Sequence, residues 1–173
     1  MPQKTVGLYY VQGNPVTVTF GAIGGYIRSV VCPISASAGF YCGPLKLPSD
    51  VDLSRPMIVT LLVATVLASI DDGEDMRFFL AAQAARDGVL SSAATLFQSW
   101  PVPDGWSAGD PRSFSFDNGN GVTFDGGTFA PTDVVGMTVQ RLGGATEDTY
   151  QRSIYLAMGV ALTYYQRCQK ICC

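Results

Sequence analysis

Between Asp133 and Tyr165 the chain alternates large apolar residues with small or polar ones at a period of two. That is the period of a β-strand, whose successive side chains point to opposite faces. Val135, Met137 and Val139 fall on one face of a first strand, and Val134, Gly136, Thr138 and Gln140 on the other. After a polar link, Leu142–Arg152, a second strand sets Ile154, Leu156, Met158, Val160, Leu162 and Tyr164 on one side and Ala157, Gly159, Ala161 and Thr163 opposite. Large residues on one face and small ones on the other predict a strand held between two surfaces, as in a two-sheet β-sandwich.

Further strands follow from the same patterning. Met57–Ser69 is apolar on both faces, with Met57, Val59, Leu61, Val63 and Leu67 on one and Ile58, Leu62, Ala64, Val66 and Ala68 on the other. One face fills the core; the other needs a second cover, and Ile58, Leu62 and Val66 make it a candidate subunit interface. Asp71–Asp75 reads as a turn and Val89–Trp100 as a strand, apolar at Leu96 and Trp100. Met76–Arg86 is ambiguous: its alanines suit a helix, while its place before Asp87-Gly88 suits a meander strand. From Trp100 to Gly127 prolines, glycines and Asn118-Gly119-Asn120-Gly121 mark turns around short strands at Phe114–Phe116 and Val122–Phe124. Several short strands between such turns predict an all-β, jelly-roll-like sandwich.

Residues 1–49 differ in texture, with Pro15, Pro33, Pro44 and Pro48 among many small residues. Thr5–Val11, Val16–Phe20 and Tyr26–Cys32 read as short strands, and Ser35–Gly39 as a loop. Two readings compete: an arm that docks on a partner, or the first strands of the sandwich. The arm is favoured, with Tyr9, Tyr10 and Phe20 as its apolar anchors and Pro48–Pro56 as the boundary with a body over residues 50–173.

Composition sharpens this picture. A chain of 173 residues buries an adequate single core. Only 14% of its residues are charged against 47% hydrophobic, well under the usual charged share of about 25%. So few charges predict apolar surface covered by other subunits. The net charge of −3 and the lack of a basic cluster argue against a nucleic-acid partner. The longest apolar run, Met57–Ile70, falls short of a membrane-spanning helix, which needs about 20 residues. The opening MPQKTVGLYY has no apolar segment of the signal-peptide kind, so synthesis in the cytoplasm is expected.

The chain has no histidine, which excludes Ser-His-Asp and Cys-His catalytic sets. Gly21–Gly25 follows no βαβ pattern and is no dinucleotide fingerprint. Carboxylates that could pair for glycoside hydrolysis, Asp71, Asp72, Glu74 and Asp75 or Asp104, Asp110, Asp117 and Asp125, all fall in turns, where Asp is expected for backbone reasons. Asp117-Asn118-Gly119-Asn120 with Asp125 offers oxygens for calcium but lacks EF-hand spacing. Of five cysteines, Cys168, Cys172 and Cys173 have a spacing that fits no common zinc site. Cys32 and Cys42 read as small apolar residues or a neighbouring pair across a loop. The expectation is a protein without catalytic residues, cofactor or metal. Trp106, in the turn after Pro103-Asp104-Gly105, is the aromatic best placed to stack on a sugar.

The order of an apolar strand, Arg141-Leu142-Gly143, Glu147-Asp148-Thr149-Tyr150 and a long apolar strand ending in Tyr164-Tyr165 resembles the closing strands of jelly-roll domains in tailed-phage structural proteins. The resemblance covers roughly residues 50–167 and favours a strand at Met76–Arg86. It implies that Arg141, Asp148 and Thr149 hold the connection between the last two strands. It also implies a homotrimer and a partner in the major capsid protein, the product being a capsid decoration, or cement, protein on the virion surface. The terminal cysteines would then oxidise only in the finished particle. A tail-fibre or baseplate part, or a glycan-binding receptor module, is the alternative. The short length and the absence of repeats or heptads favour decoration over a fibre.

Overall fold

The computed structural model describes residues 3–8, 10–14, 19–23, 27–32, 37–66, 73–116 and 129–167. The strands among them are β1 (Gln3–Leu8), β2 (Tyr10–Asn14), β3 (Thr19–Ile23), β4 (Ile27–Cys32), β5 (Ser37–Lys46), β6 (Ile58–Thr65), β7 (Asp75–Arg86), β8 (Val89–Leu90), β9 (Ala94–Pro101), β10 (Pro111–Phe116), β11 (Val134–Leu142) and β12 (Ile154–Tyr165). They form two antiparallel sheets. The first runs β10-β6-β12-β4-β3, with β1 also beside β12; the second runs β2-β5-β11-β7-β8, with β9 also beside β7. The chain passes repeatedly from one sheet to the other, and the fold is an all-β, jelly-roll-like sandwich.

The alternation seen in the sequence sets the core. Val59, Leu61 and Val63 of β6 and Ile154, Leu156, Val160, Leu162 and Tyr164 of β12 point inward from the first sheet. Met76, Phe78 and Leu80 of β7 and Val135, Met137 and Val139 of β11 meet them from the second. Each large side chain fully buried this way contributes roughly 1.5–3 kcal/mol. Strand β12 slips register against β6 between Ala157 and Val160. The two extra residues of this bulge preserve the alternation, so Val160, Leu162 and Tyr164 stay on the buried side. The alanines of β7 do not make a helix. That strand is hydrogen-bonded on both sides, by β11 and by β9, and tertiary pairing outweighs their helix propensity.

Residues 1–49 are not an arm set apart from a body that starts at residue 50. Strand β5 is interior to the second sheet, between β2 and β11, while β1 and β4 flank β12 in the first. The glycines that suggested a loop serve the strand. A Cβ at Gly39 would lie 2.0 Å from the Val139 carbonyl oxygen. Gly43, at φ +106°, occupies a bulge where β5 slips against β11. The sequence reading also ran two strands together: Val89–Trp100 is β8 and β9, broken at Ser91–Ala93.

Candidate functional site

The link between β11 and β12 is organised by one buried ion pair. Arg141 and Asp148 are both fully shielded from solvent. Arg141 donates from Nε and Nη2 to the two carboxylate oxygens of Asp148 at 2.8 and 2.6 Å. Nη2 and Nη1 also donate to the Tyr150 and Arg152 carbonyl oxygens, both at 2.5 Å. This fork geometry is what a buried guanidinium needs to replace its lost water. Asp148 Oδ2 also accepts from the Arg77 N–H at 3.0 Å, and Thr149 Oγ1 accepts from the Asp75 N–H at 2.8 Å. Arg141, Asp148 and Thr149 thus tie the last connection to the start of β7. These contacts lie inside the chain.

Trp106 does not offer a face to a sugar. It is completely buried, its Nε1 donating to the Asp110 carbonyl oxygen at 2.6 Å, with its ring stacked on Tyr150 at 6.4 Å and near Phe114 at 5.8 Å. The Tyr150 hydroxyl is bonded in turn to Thr65 Oγ1 at 2.6 Å. The Pro-Asp-Gly turn folds its tryptophan inward and closes one end of the sandwich. Trp100 is also internal, among Phe78, Phe114 and Phe116, with Nε1 donating to the Ser115 carbonyl oxygen. Tyr9 lies outside the described residues, while Tyr10 and Phe20 are strand positions paired with Cys42 and Val30. Ile58 and Leu62 are half-buried on the outer side of β6, and Val66 is half-buried just past its end.

The exposed large hydrophobic residues among those described, Tyr41, Val89, Leu90, Phe97 and Val134, all come from strands of the second sheet. Across its outer face the register sets Phe97, Phe79, Gln140 and Gly39 in one row and Thr95, Ala81, Thr138 and Tyr41 in the next. Neither row carries a charge. Phe97 is 49% exposed and packs on Phe79 at 4.9 Å, with the Arg77 guanidinium 5.7 Å from its ring. Sequence reasoning missed this face. It took Leu96 and Trp100 as the apolar side of β9, which they are, and left Phe97 unassigned between them.

The titratable groups are structural in their contacts. Asp133 accepts a two-pronged ion pair from Arg86 at 2.7 and 2.8 Å and a hydrogen bond from the Ala130 N–H at 2.8 Å. The Arg86 hydrogen bonds hold its carboxyl below the usual range, against the opposite push of burial. Cys32 and Cys42 are buried free thiols on strands of different sheets, and burial pushes both up to about 12, so neither is a thiolate at neutral pH. Among the described residues no group of three or more Cys, Asp or Glu is gathered to hold a metal. The loop from Asp117 to Asp125, the acids Asp71 and Asp72, and Cys168, Cys172 and Cys173 lie outside the described residues.

The fold and this face define an all-β sandwich with two uncharged rows across the outer face of one sheet. No family model matches the chain, and no curated protein matches it. Among solved structures, a carbohydrate-binding module studied for specific mannan recognition is similar at 13% identity and a TM-score of 0.37, over 95% of this chain and 89% of that one.

Proposed function

We propose that the protein is a non-catalytic structural protein of a tailed-phage virion, a homotrimeric decoration protein that binds and stabilises the assembled major-capsid lattice. The observation that carries this reading is the edge strand β9. Among the described residues it pairs only with β7, it has no charged residue from Ala94 to Pro101, and Phe97 stands half-exposed on its outer face. Edge strands of free-standing proteins are ordinarily blunted by charges, bulges or covering loops. An edge without charge from Ala94 to Trp100, beside an exposed aromatic, suits a surface that another chain covers by strand addition.

Attachment then belongs to β9 and Phe97 in place of Tyr10 and Phe20, since the described strands β1 to β5 are members of the two sheets. The half-buried outer row of β6, Ile58 and Leu62, is the proposed contact between copies in the trimer. The virion setting rests on the sequence resemblance over residues 50–167, and the 14% charged composition supports covered surface. A protein that binds the assembled lattice in preference to free capsid subunits stabilises the lattice by mass action.

The test is sedimentation of purified protein with empty, tailless heads. The expected result is saturable co-sedimentation, with heads that withstand more denaturant when decorated. Protein that stays in the supernatant, or that sediments only with tails, contradicts the proposal.

A further inference from the structure

On the outer face of the second sheet, away from Phe97, lies a trough of about 440 Å³. Its volume falls in the range of small-molecule sites, roughly 300–1,000 Å³. Tyr41 and Pro44 stand along one side and Leu90 on the other, over a floor that includes Gly136, Thr138 and Gln83. No Lys, Arg, Asp or Glu lines it.

Gly136 lies on the floor of the trough, at the point where β11 slips register against β5 between Val135 and Met137. Gly136 is an exposed mid-strand residue outside the left-handed region, and a Cβ added to it would meet nothing within 4 Å. Gly43 and Gly136 face each other in this bulge: at Gly43 the positive φ and the 2.8 Å approach to the Val135 carbonyl oxygen exclude a side chain, whereas at Gly136 there is room for one.

The polar groups are few and fixed. Gln83 Nε2 donates to the Ser91 carbonyl oxygen at 2.7 Å, and Ser91 is held by Ala84 in both directions, through Oγ at 3.0 Å and N–H at 2.8 Å. That leaves the Gln83 carbonyl oxygen as an anchored acceptor, with the Thr138 hydroxyl two residues beyond Gly136 as donor or acceptor. Tyr41 is 44% exposed and supplies an aromatic face. A neutral lining, one exposed ring and two uncharged polar side chains match a ligand with an apolar face and a hydroxyl rim.

We infer that this trough binds a neutral pyranose unit of an oligosaccharide, stacked on Tyr41 and hydrogen-bonded by Gln83 and Thr138. No residue of β9 lines the trough, although Ala81 and Ala82 pair with its Thr95 and Ala94, so sugar binding is measured on the purified chain without heads. The experiment is a screen of the purified chain against neutral oligosaccharides of glucose, galactose, mannose and N-acetylglucosamine, followed by titration of isotope-labelled protein with the best binder. Amide shifts should centre on Tyr41, Gln83, Gly136 and Thr138. Tyr41→Ala should weaken binding roughly tenfold, the factor a stacking contact of about 1.4 kcal/mol represents. Gly136→Val fills the trough from an unstrained position, so it should abolish binding while leaving the melting temperature no lower. A screen without a binder, shifts centred elsewhere, or binding that survives Gly136→Val overturns the inference.

Discussion

Arg141 and Asp148 show how much rests on single side chains in a chain with so few charges. Both are fully buried, and the pair satisfies two backbone carbonyls and a β7 amide besides itself. Such a pair adds little net stability over a well-packed apolar pair, but removing one partner strands the other. Asp148→Asn should therefore cost about 3–5 kcal/mol, read from denaturant unfolding. Arg141→Met combined with Asp148→Leu should cost less than the two single changes summed. Asp133 gives an acid-sensitive counterpart. Its folded pKa is depressed chiefly by the Arg86 hydrogen bonds, so its contribution is present above the unfolded value of about 3.9 and is lost as pH falls through the folded one. Asp133→Asn should lower stability at neutral pH and flatten its loss below about pH 4, measured by thermal melts across pH. It is the resemblance to phage jelly-roll domains that singles out Arg141 and Asp148, since charges in a link between two strands equally suit a solvated turn. Nothing local showed whether Trp106 points into solvent or core, because a Pro-Asp-Gly turn permits both.

At the scale of elements, legibility followed the length of the alternation. Strands β11 and β12 could be read to within a residue or two because apolar positions repeat every second residue through them. Strand β5 could not, since Gly39 and Gly43 are demanded by close approaches to β11 that only the folded pairing creates. The separation of an arm from a body failed for the same reason: sheet membership is set by long-range pairing. This reverses the outcome expected of a truncation. Deleting residues 1–47 removes β5 and leaves β11 unpaired along one side, so the product should be insoluble or lack the cooperative melt of the full chain. A soluble fragment with a two-state melt would restore the arm.

At the scale of the whole molecule, the low charge is not spread evenly over the surface. Among the described residues the exposed large apolar side chains belong to the second sheet, with Phe97 at its β9 edge and Tyr41 and Leu90 at the trough. The composition announced covered surface without saying where, because which side of a strand faces outward depends on the sheet it joins. In the proposed function, β9 is the edge by which the protein holds a capsid lattice. A lysine at position 97 would put a charge on that edge without entering the core, since Phe97 already projects outward. The most direct measurement compares Phe97→Lys with the unmodified chain for occupancy of empty heads, with light scattering to follow the oligomer. The account predicts a trimer at micromolar concentration in both and a loss of head occupancy of at least roughly tenfold in the variant. Equal occupancy by the two proteins, or an unmodified chain that is monomeric and leaves the heads bare, would contradict it.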